Sequence, residues 1–164
     1  MRATWTSRFV GMAFTAVLVS AMGFGATAQA PDPLMGTWKL DVAKSTYKPD
    51  PAPKSLSVLI EPASGNGMKV SVDGVAADDT PIKVTYTSMR DGKDAPVTGS
   101  PVYDTAAVTQ TNPHEGTIVY KKGGKMVITA KASVAKDGKT MTVDYTGMNP
   151  KGQVLHNVAH YVKQ

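Results

Sequence analysis

Short runs of alternating apolar and polar residues, which recur from Leu56 onward, constrain the fold of this chain more than any other feature. In the run SLSVLIE, for example, Leu56, Val58 and Ile60 share one face. A period of two with many β-branched and aromatic residues is typical of strands that bury one face. Beyond the apolar N-terminal stretch, no window of helical length shows a period of about 3.6 residues. The chain is therefore predicted to be all-β.

Turn signals separate these runs at regular intervals. Gly123-Gly124 and Asp137-Gly138 are typical of two-residue hairpins, because type I′ turns need positive φ at both central positions. Short turns between successive strands predict an antiparallel meander of about nine strands. The stretch 90–105 lacks the pattern and is predicted to be a long loop at a barrel mouth. The nine strands are expected at 36–42, 54–61, 67–73, 80–89, 102–110, 116–122, 125–134, 139–146 and 153–162.

A short domain with so many strands must cover both its sheet edges and its apolar face. Closing the meander into a barrel of about eight to nine strands removes the edges, and its interior fits side chains or one small ligand. A two-sheet sandwich is the alternative, although sandwiches usually need Greek-key crossings. The expected fold is therefore an antiparallel up-and-down barrel.

The N-terminus has the layout of a secretory signal peptide. Two arginines precede an uncharged apolar stretch over residues 9–31, which contains the small residues GATAQA near its end. Two A-x-A sites compete, ending at Ala28 and Ala30. Cleavage after Ala28 is expected, because the second site would place Pro31 at the scissile bond. An uncleaved membrane anchor is the alternative, but the glycines of the stretch and the terminal A-x-A argue against it.

Removal of the signal peptide (residues 1–28) would leave a single domain, residues 29–164, with 16 basic and 13 acidic side chains. Without clustered Lys and Arg, no nucleic-acid partner is expected. Because this domain has one arginine, Arg90, bidentate phosphate recognition is nearly excluded. The chain has no cysteine, which excludes thiol catalysis, a lipoprotein anchor and Cys-type zinc sites. We expect a periplasmic or secreted protein with no stable membrane span after processing.

The segment GTWKL at residues 36–40 resembles the first-strand signature of the calycins, which include lipocalins, fatty-acid-binding proteins and avidins. In those proteins a G-x-W motif places the tryptophan across one end of the barrel. The resemblance implies a lipocalin-like barrel in which Gly36 and Trp38 are structural, barrel-closing residues. The segments PAPKSLSVLIEP, DGKDAPVTGSP and KDGKTMTV also resemble small exported bacterial β-proteins of unknown function.

The ligand sites of those three families are not matched. Fatty-acid-binding proteins insert two helices after the first strand and bind the ligand carboxylate with arginines. Here the prolines within 49–53 exclude two helices, and Arg90 alone cannot form an arginine pair. Lipocalins usually pack an arginine of the last strand against the tryptophan, and the last strand here has none. Avidins use several binding-site tryptophans, whereas Trp38 is the only tryptophan after the signal peptide.

Histidines and acidic pairs give no strong signal for catalysis or metal binding. His156 and His160 share one face of the last predicted strand, where four residues span about 13 Å, so they cannot bind one metal ion together. Two S-x-x-K sequences, at 45–48 and 133–136, lack the helical context of penicillin-interacting enzymes. The acidic residues at 78–79 lie in a turn without further oxygen ligands for calcium. No catalytic residue, metal or cofactor is expected.

The inward face of the predicted barrel is the remaining candidate site. Tyrosine hydroxyls inside an apolar cavity are the usual composition of a small-molecule site. We therefore expect Tyr86, Tyr120, Tyr145 and His156 to contact a ligand. A solid core in which methionines fill gaps is the alternative. The residues predicted to line the interior are Ile82, Val84, Tyr86, Ile118, Tyr120, Met126, Ile128, Met141, Val143 and Tyr145.

The expected function is that of an exported, non-enzymatic protein that binds or carries a small, mostly apolar molecule inside the barrel. The alternative is an envelope structural or interaction protein whose filled barrel presents the loop 90–105 and the hairpin 121–125. An enzyme with a single His–Tyr acid–base pair is the third hypothesis.

Overall fold

A computed structural model of the protein describes residues 31–49 and 51–164. The predicted signal peptide, with its cleavage sites, lies outside the described residues. The described part of the chain forms ten β-strands and one short 3₁₀ turn, η1. The elements in chain order are β1 Gly36–Leu40, η1 Val42–Lys44, β2 Ser55–Pro62, β3 Met68–Val75, β4 Pro81–Ser88, β5 Asp91–Thr98, β6 Thr105–Asn112, β7 Glu115–Lys122, β8 Lys125–Val134, β9 Thr140–Met148 and β10 Val154–Lys163.

The ten strands form one closed antiparallel barrel. Each strand pairs with its neighbours in sequence, and β1 pairs with both β2 and β10, which closes the sheet. Closure pairs the first strand with the last, so neither is left as an edge strand. The predicted up-and-down barrel is confirmed and the sandwich alternative is wrong. The barrel has one strand more than the predicted upper count.

The additional strand is β5, which lies in the stretch 90–105 that was predicted to be a loop. That prediction is wrong because β5 has a weak strand pattern: only Ala95 is buried, and a register shift precedes it. Pro96 also argues against a strand in the sequence. The missing N–H of Pro96 is tolerated because of the direction it would have. In a strand, the N–H groups of successive residues point alternately to the two neighbouring strands. Val97 donates to the Asp104 carbonyl beside β6, so Pro96 faces β4, where the ladder contains only Val97 and Thr98.

Alternation of side chains places the apolar core inside the barrel. On β10, for example, Leu155, Asn157 and Tyr161 are buried. Met126 is the exception among the residues predicted to line the interior, because its side chain is 67% exposed. A register shift in the β7–β8 ladder, where an extra residue is inserted next to Met126, reverses its direction. The prediction for Met126 was therefore wrong.

The connection between β1 and β2 contains η1 and is attached to β10. The Asp41 side chain caps η1 by accepting a hydrogen bond from the Lys44 N–H. Thr46 then forms a two-way backbone pair with Val158, at 2.8 Å in both directions. No α-helix occurs in the described part of this connection, as the prolines predicted. Among the described residues, no helix has the length and apolar character needed to cross a membrane.

One end of the barrel is closed by Trp38 and by an N-terminal plug, which we define as residues 31–35. Trp38 is completely buried, and its indole N–H donates to the Leu34 carbonyl at 2.8 Å. Lys163, at the end of β10, places its ammonium 5.0 Å from the centroid of the indole ring. The same ammonium donates to the Pro33 carbonyl at 2.9 Å. Lys163 thus provides a cation at the closed end, next to the indole ring.

Gly36 lies where Lys163 crosses this closed end. Its φ is +122°, a backbone conformation that favours glycine. A Cβ atom at this position would come within 2.9 Å of Cε of Lys163. A side chain here would therefore strain the backbone and displace the lysine from Trp38.

Candidate ligand-binding site

Two of the cavities formed by the described residues lie inside the barrel. The inner chamber, next to the N-terminal plug, has a volume of about 90 Å³. The mouth chamber, at the opposite end, has a volume of about 300 Å³ and opens to solvent. Both are lined mainly by aliphatic and aromatic side chains. Ligand cavities usually measure about 300–1,000 Å³, so the mouth chamber alone reaches that range.

The mouth chamber is bounded on one side by the segment between β1 and β2. Tyr47, Pro51 and Pro53 of this segment line the chamber together with residues of β2, β4 and β10. The segment is fixed at Lys48, whose N–H donates to the Asn157 side chain at 2.9 Å. A segment that contains Pro51 and Pro53 therefore forms one wall of the mouth chamber.

Tyr103 separates the two chambers. It belongs to the loop between β5 and β6, and with Val72 it lines both cavities. Its ring packs against the ring of Tyr120, with a centroid distance of 4.3 Å and an interplanar angle of 38°. A loop residue, Tyr103, and a strand residue, Val72, thus lie between the two chambers.

All six tyrosines of the chain belong to the core cluster or pack against it. The hydroxyls of four of them interact in pairs, Tyr86 with Tyr120 and Tyr145 with Tyr161. Burial raises the pKa of Tyr86, Tyr120 and Tyr145 well above the ordinary value. The same desolvation raises the pKa of Tyr161 to about 12. These hydroxyls are therefore neutral hydrogen-bonding groups at physiological pH.

The structure divides the four residues predicted to contact a ligand among three places. Tyr86 and Tyr120 line the inner chamber, and Tyr145 lines the mouth chamber. His156 lies on the outer face of β10 with its side chain 59% exposed, and its Nε2 is 3.5 Å from a carboxylate oxygen of Asp144. The tyrosines are therefore close to interior space, whereas His156 is outside the barrel.

Arg90 is an interior residue that sequence reasoning passed over. It lies at the β4–β5 turn with φ +60°, and its side chain is only 6% exposed. It lines the inner chamber together with Gln110. It is the only arginine after the predicted signal peptide, so the sequence excludes an arginine pair. The alternation of β4 could have indicated this position, because Val84, Tyr86 and Ser88 face inward and Arg90 follows two residues later.

Grouped catalytic or metal-binding side chains are not seen in the described part of the chain. No three His, Cys, Asp or Glu side chains there lie close enough to hold a metal ion. His160 is paired through Nδ1 with the Thr142 hydroxyl at 3.2 Å. Neither chamber is lined by a described histidine or carboxylate.

The fold is that of a calycin-like β-barrel, and solved structures show the same architecture. The crystal structure of the wild-type fluorescent protein UnaG aligns with a TM-score of 0.51 and 16% identity, over 80% of this chain and 97% of that chain. A point mutant of UnaG aligns with a TM-score of 0.50 and 15% identity, over 80% and 96% of the two chains. Zebrafish ileal bile acid-binding protein complexed with cholic acid aligns with a TM-score of 0.48 and 11% identity, over 80% and 99%. No protein-family model and no curated protein sequence matches the chain.

Proposed function

We propose that this protein binds a small, mostly apolar organic molecule inside its barrel and carries it outside the cytoplasm. The observation that carries the proposal is the pair of chambers, about 90 and 300 Å³, on either side of Tyr103. Their apolar walls favour transfer of an apolar molecule from water. The export part of the proposal is supported by the N-terminal sequence, with its positive, apolar and A-x-A regions.

The cavities argue against the alternative of a structural protein with a filled barrel. A filled interior would resemble the close-packed cores of proteins, which contain few voids larger than a water molecule. The inner chamber, at about 90 Å³, is several times larger than the approximately 10–15 Å³ that one water molecule needs. Space of this size inside a closed barrel favours binding over a purely structural role.

The chemistry of the chamber walls favours binding over catalysis. General acid–base catalysis usually needs a histidine, carboxylate or lysine close to the substrate. The described residues that line the chambers include none of these, and their tyrosines are held neutral by burial. We therefore propose a carrier and not an enzyme.

The proposal is tested with the neutral apolar dye Nile red, whose fluorescence rises in apolar surroundings. Val72, which lines both chambers, is replaced by Trp to fill the space between them. The matched control is Ser71→Trp, since the adjacent residue of β3 points to the opposite face of the sheet. We expect the dye to bind the wild type and the control, and to bind Val72→Trp at least about tenfold more weakly. Equal binding by both variants, or none by the wild type, would contradict the proposal.

A further inference from the structure

We propose that the inner chamber takes a neutral hydrogen-bond acceptor of the ligand, such as an ester, ketone or amide carbonyl, which accepts from the Nε–H of Arg90. This inference rests on the proposed function and specifies the ligand's head group. The apolar body of the ligand would extend from the inner chamber past Tyr103 into the mouth chamber.

The hydrogen bonds of Arg90 leave its Nε–H without a partner among the described residues. One terminal nitrogen of its guanidinium donates to a carboxylate oxygen of Asp32 and, at 2.6 Å, to the side-chain oxygen of Gln110. The Nε atom is buried and has no hydrogen-bond partner among the described residues. Buried N–H groups without a partner are rare, because each one loses its hydrogen bonds to water without replacement. An acceptor for this N–H is therefore expected from whatever occupies the adjoining space.

Arg90 helps to line the inner chamber, so this chamber is the space from which an acceptor can approach the guanidinium. Elsewhere its wall is mainly aliphatic, with residues such as Val58 and Val70, and the hydroxyls of Tyr86 and Tyr120 are further polar groups of the lining. A volume of about 90 Å³ accommodates a head group of a few atoms. An apolar molecule that enters from the mouth would place its inner end here.

The charge of the site favours a neutral head group over a carboxylate. A buried guanidinium needs a counter-charge, and Asp32 of the N-terminal plug already provides it. An added carboxylate would give the group formed with Arg90 and Asp32 a net negative charge in largely apolar surroundings, which is unfavourable. The neighbouring tyrosine hydroxyls remain neutral and add no positive charge. A carbonyl oxygen satisfies Nε without this penalty.

The experiment compares three compounds of the same chain length as competitors of Nile red: decane, methyl decanoate and decanoate. Decane has no acceptor, the ester has a neutral acceptor, and decanoate is anionic. We expect methyl decanoate to bind the wild type about tenfold more tightly than decane, after correction for their different solubilities in water, because a hydrogen bond from a charged donor is gained. We expect decanoate to bind more weakly than the ester.

Two variants then test the roles of the two charged residues. Arg90→Lys keeps a cation near Asp32 but removes the Nε donor, so the difference between ester and alkane should disappear. Asp32→Asn removes the counter-charge and leaves Arg90 positive, so decanoate should gain at least about tenfold relative to the ester. Circular dichroism establishes that each variant is folded before its binding is compared.

Each result bears on one of the two proposals. If Nile red binds but ester and alkane bind equally to the wild type, the head-group inference is overturned and the carrier proposal stands. Tighter wild-type binding of decanoate than of the ester would also overturn the inference. A ratio of decanoate to ester that stays the same in Asp32→Asn would contradict the charge argument. Absence of Nile red binding by the wild type would contradict the proposed function itself.

Discussion

Replacement of Trp38 tests whether the G-x-W segment of β1 acts through stability or through ligand contact. Trp38 is completely buried at the closed end of the barrel, and its side chain is a member of the core cluster. Trp38→Ala should therefore lower the free energy of unfolding by about 3–5 kcal/mol, the usual cost of such a truncation in a core. Trp38→Phe keeps most of the apolar surface but loses the N–H that bonds to Leu34. Its cost should be about 1–2 kcal/mol.

The assay is urea unfolding followed by far-ultraviolet circular dichroism, because Trp38 variants lose the tryptophan that a fluorescence assay would use. Nile red binding is measured on the same samples below the unfolding transition. We expect the free energy of unfolding to decrease in the order wild type, Trp38→Phe, Trp38→Ala. The affinity of the folded variants for the dye should stay close to that of the wild type. An unchanged unfolding midpoint in Trp38→Ala, together with lost dye binding, would refute the structural role of this residue.

Glycine geometry, an outward histidine and the buried tyrosines give three more expected outcomes. Gly36→Ala should lower the free energy of unfolding by about 1–2 kcal/mol, because φ is +122° and the new Cβ meets Lys163. Gly123→Ala should lower it less, because no atom lies within 4 Å of the new Cβ. Urea unfolding compares the two variants. His156→Ala should leave Nile red affinity unchanged in a titration, because the side chain lies outside the barrel; a clear loss of affinity would restore His156 as a ligand contact. Stability should fall as the pH rises from about 10, where unfolded tyrosines ionise, toward pH 12. The folded pKa of Tyr161 is raised to about 12, so the unfolded state loses its proton first, at about 1.4 kcal/mol per pH unit. Tyrosinate absorbance that appears near pH 10 without loss of circular dichroism would argue against this.

The barrel could be predicted from the sequence because alternation and turn chemistry agree along most of the chain. Runs such as SLSVLIE need only one buried face, and Gly123-Gly124 fixes a short hairpin, so local rules suffice. The same rules missed β5, whose DGKDAPVT sequence buries little and contains Pro96. Its pairing is imposed by the neighbouring strands, which a local pattern cannot show.

Side-chain direction was predictable except where the ladder contains an irregularity. Tyr86, Tyr120 and Tyr145 face the interior as strict alternation predicts. Met126 does not, because one inserted residue in β8 reverses the alternation. His156 was assigned to the wrong face of β10: the opposite set, which includes Leu155, is buried. Which face of β10 points into the barrel depends on how the barrel closes and not on the sequence pattern of β10.

The charged residues at the closed end could not be predicted from sequence spacing. Arg90 and Asp32 are 58 positions apart, and the ion pair forms because the β4–β5 turn and the N-terminal plug meet at the same end of the barrel. Lys163 likewise reaches Trp38 only because β10 pairs with β1. Both contacts depend on the closed topology.

The most direct test of the carrier proposal is native mass spectrometry of the protein purified under mild conditions from the cells that make it. We predict a species heavier than the polypeptide by one small molecule, and its release on denaturation. The species should persist in Ser71→Trp and be lost in Val72→Trp, because only the second variant fills the space between the chambers. A wild-type mass equal to that of the polypeptide alone, together with no uptake of Nile red, would contradict the account.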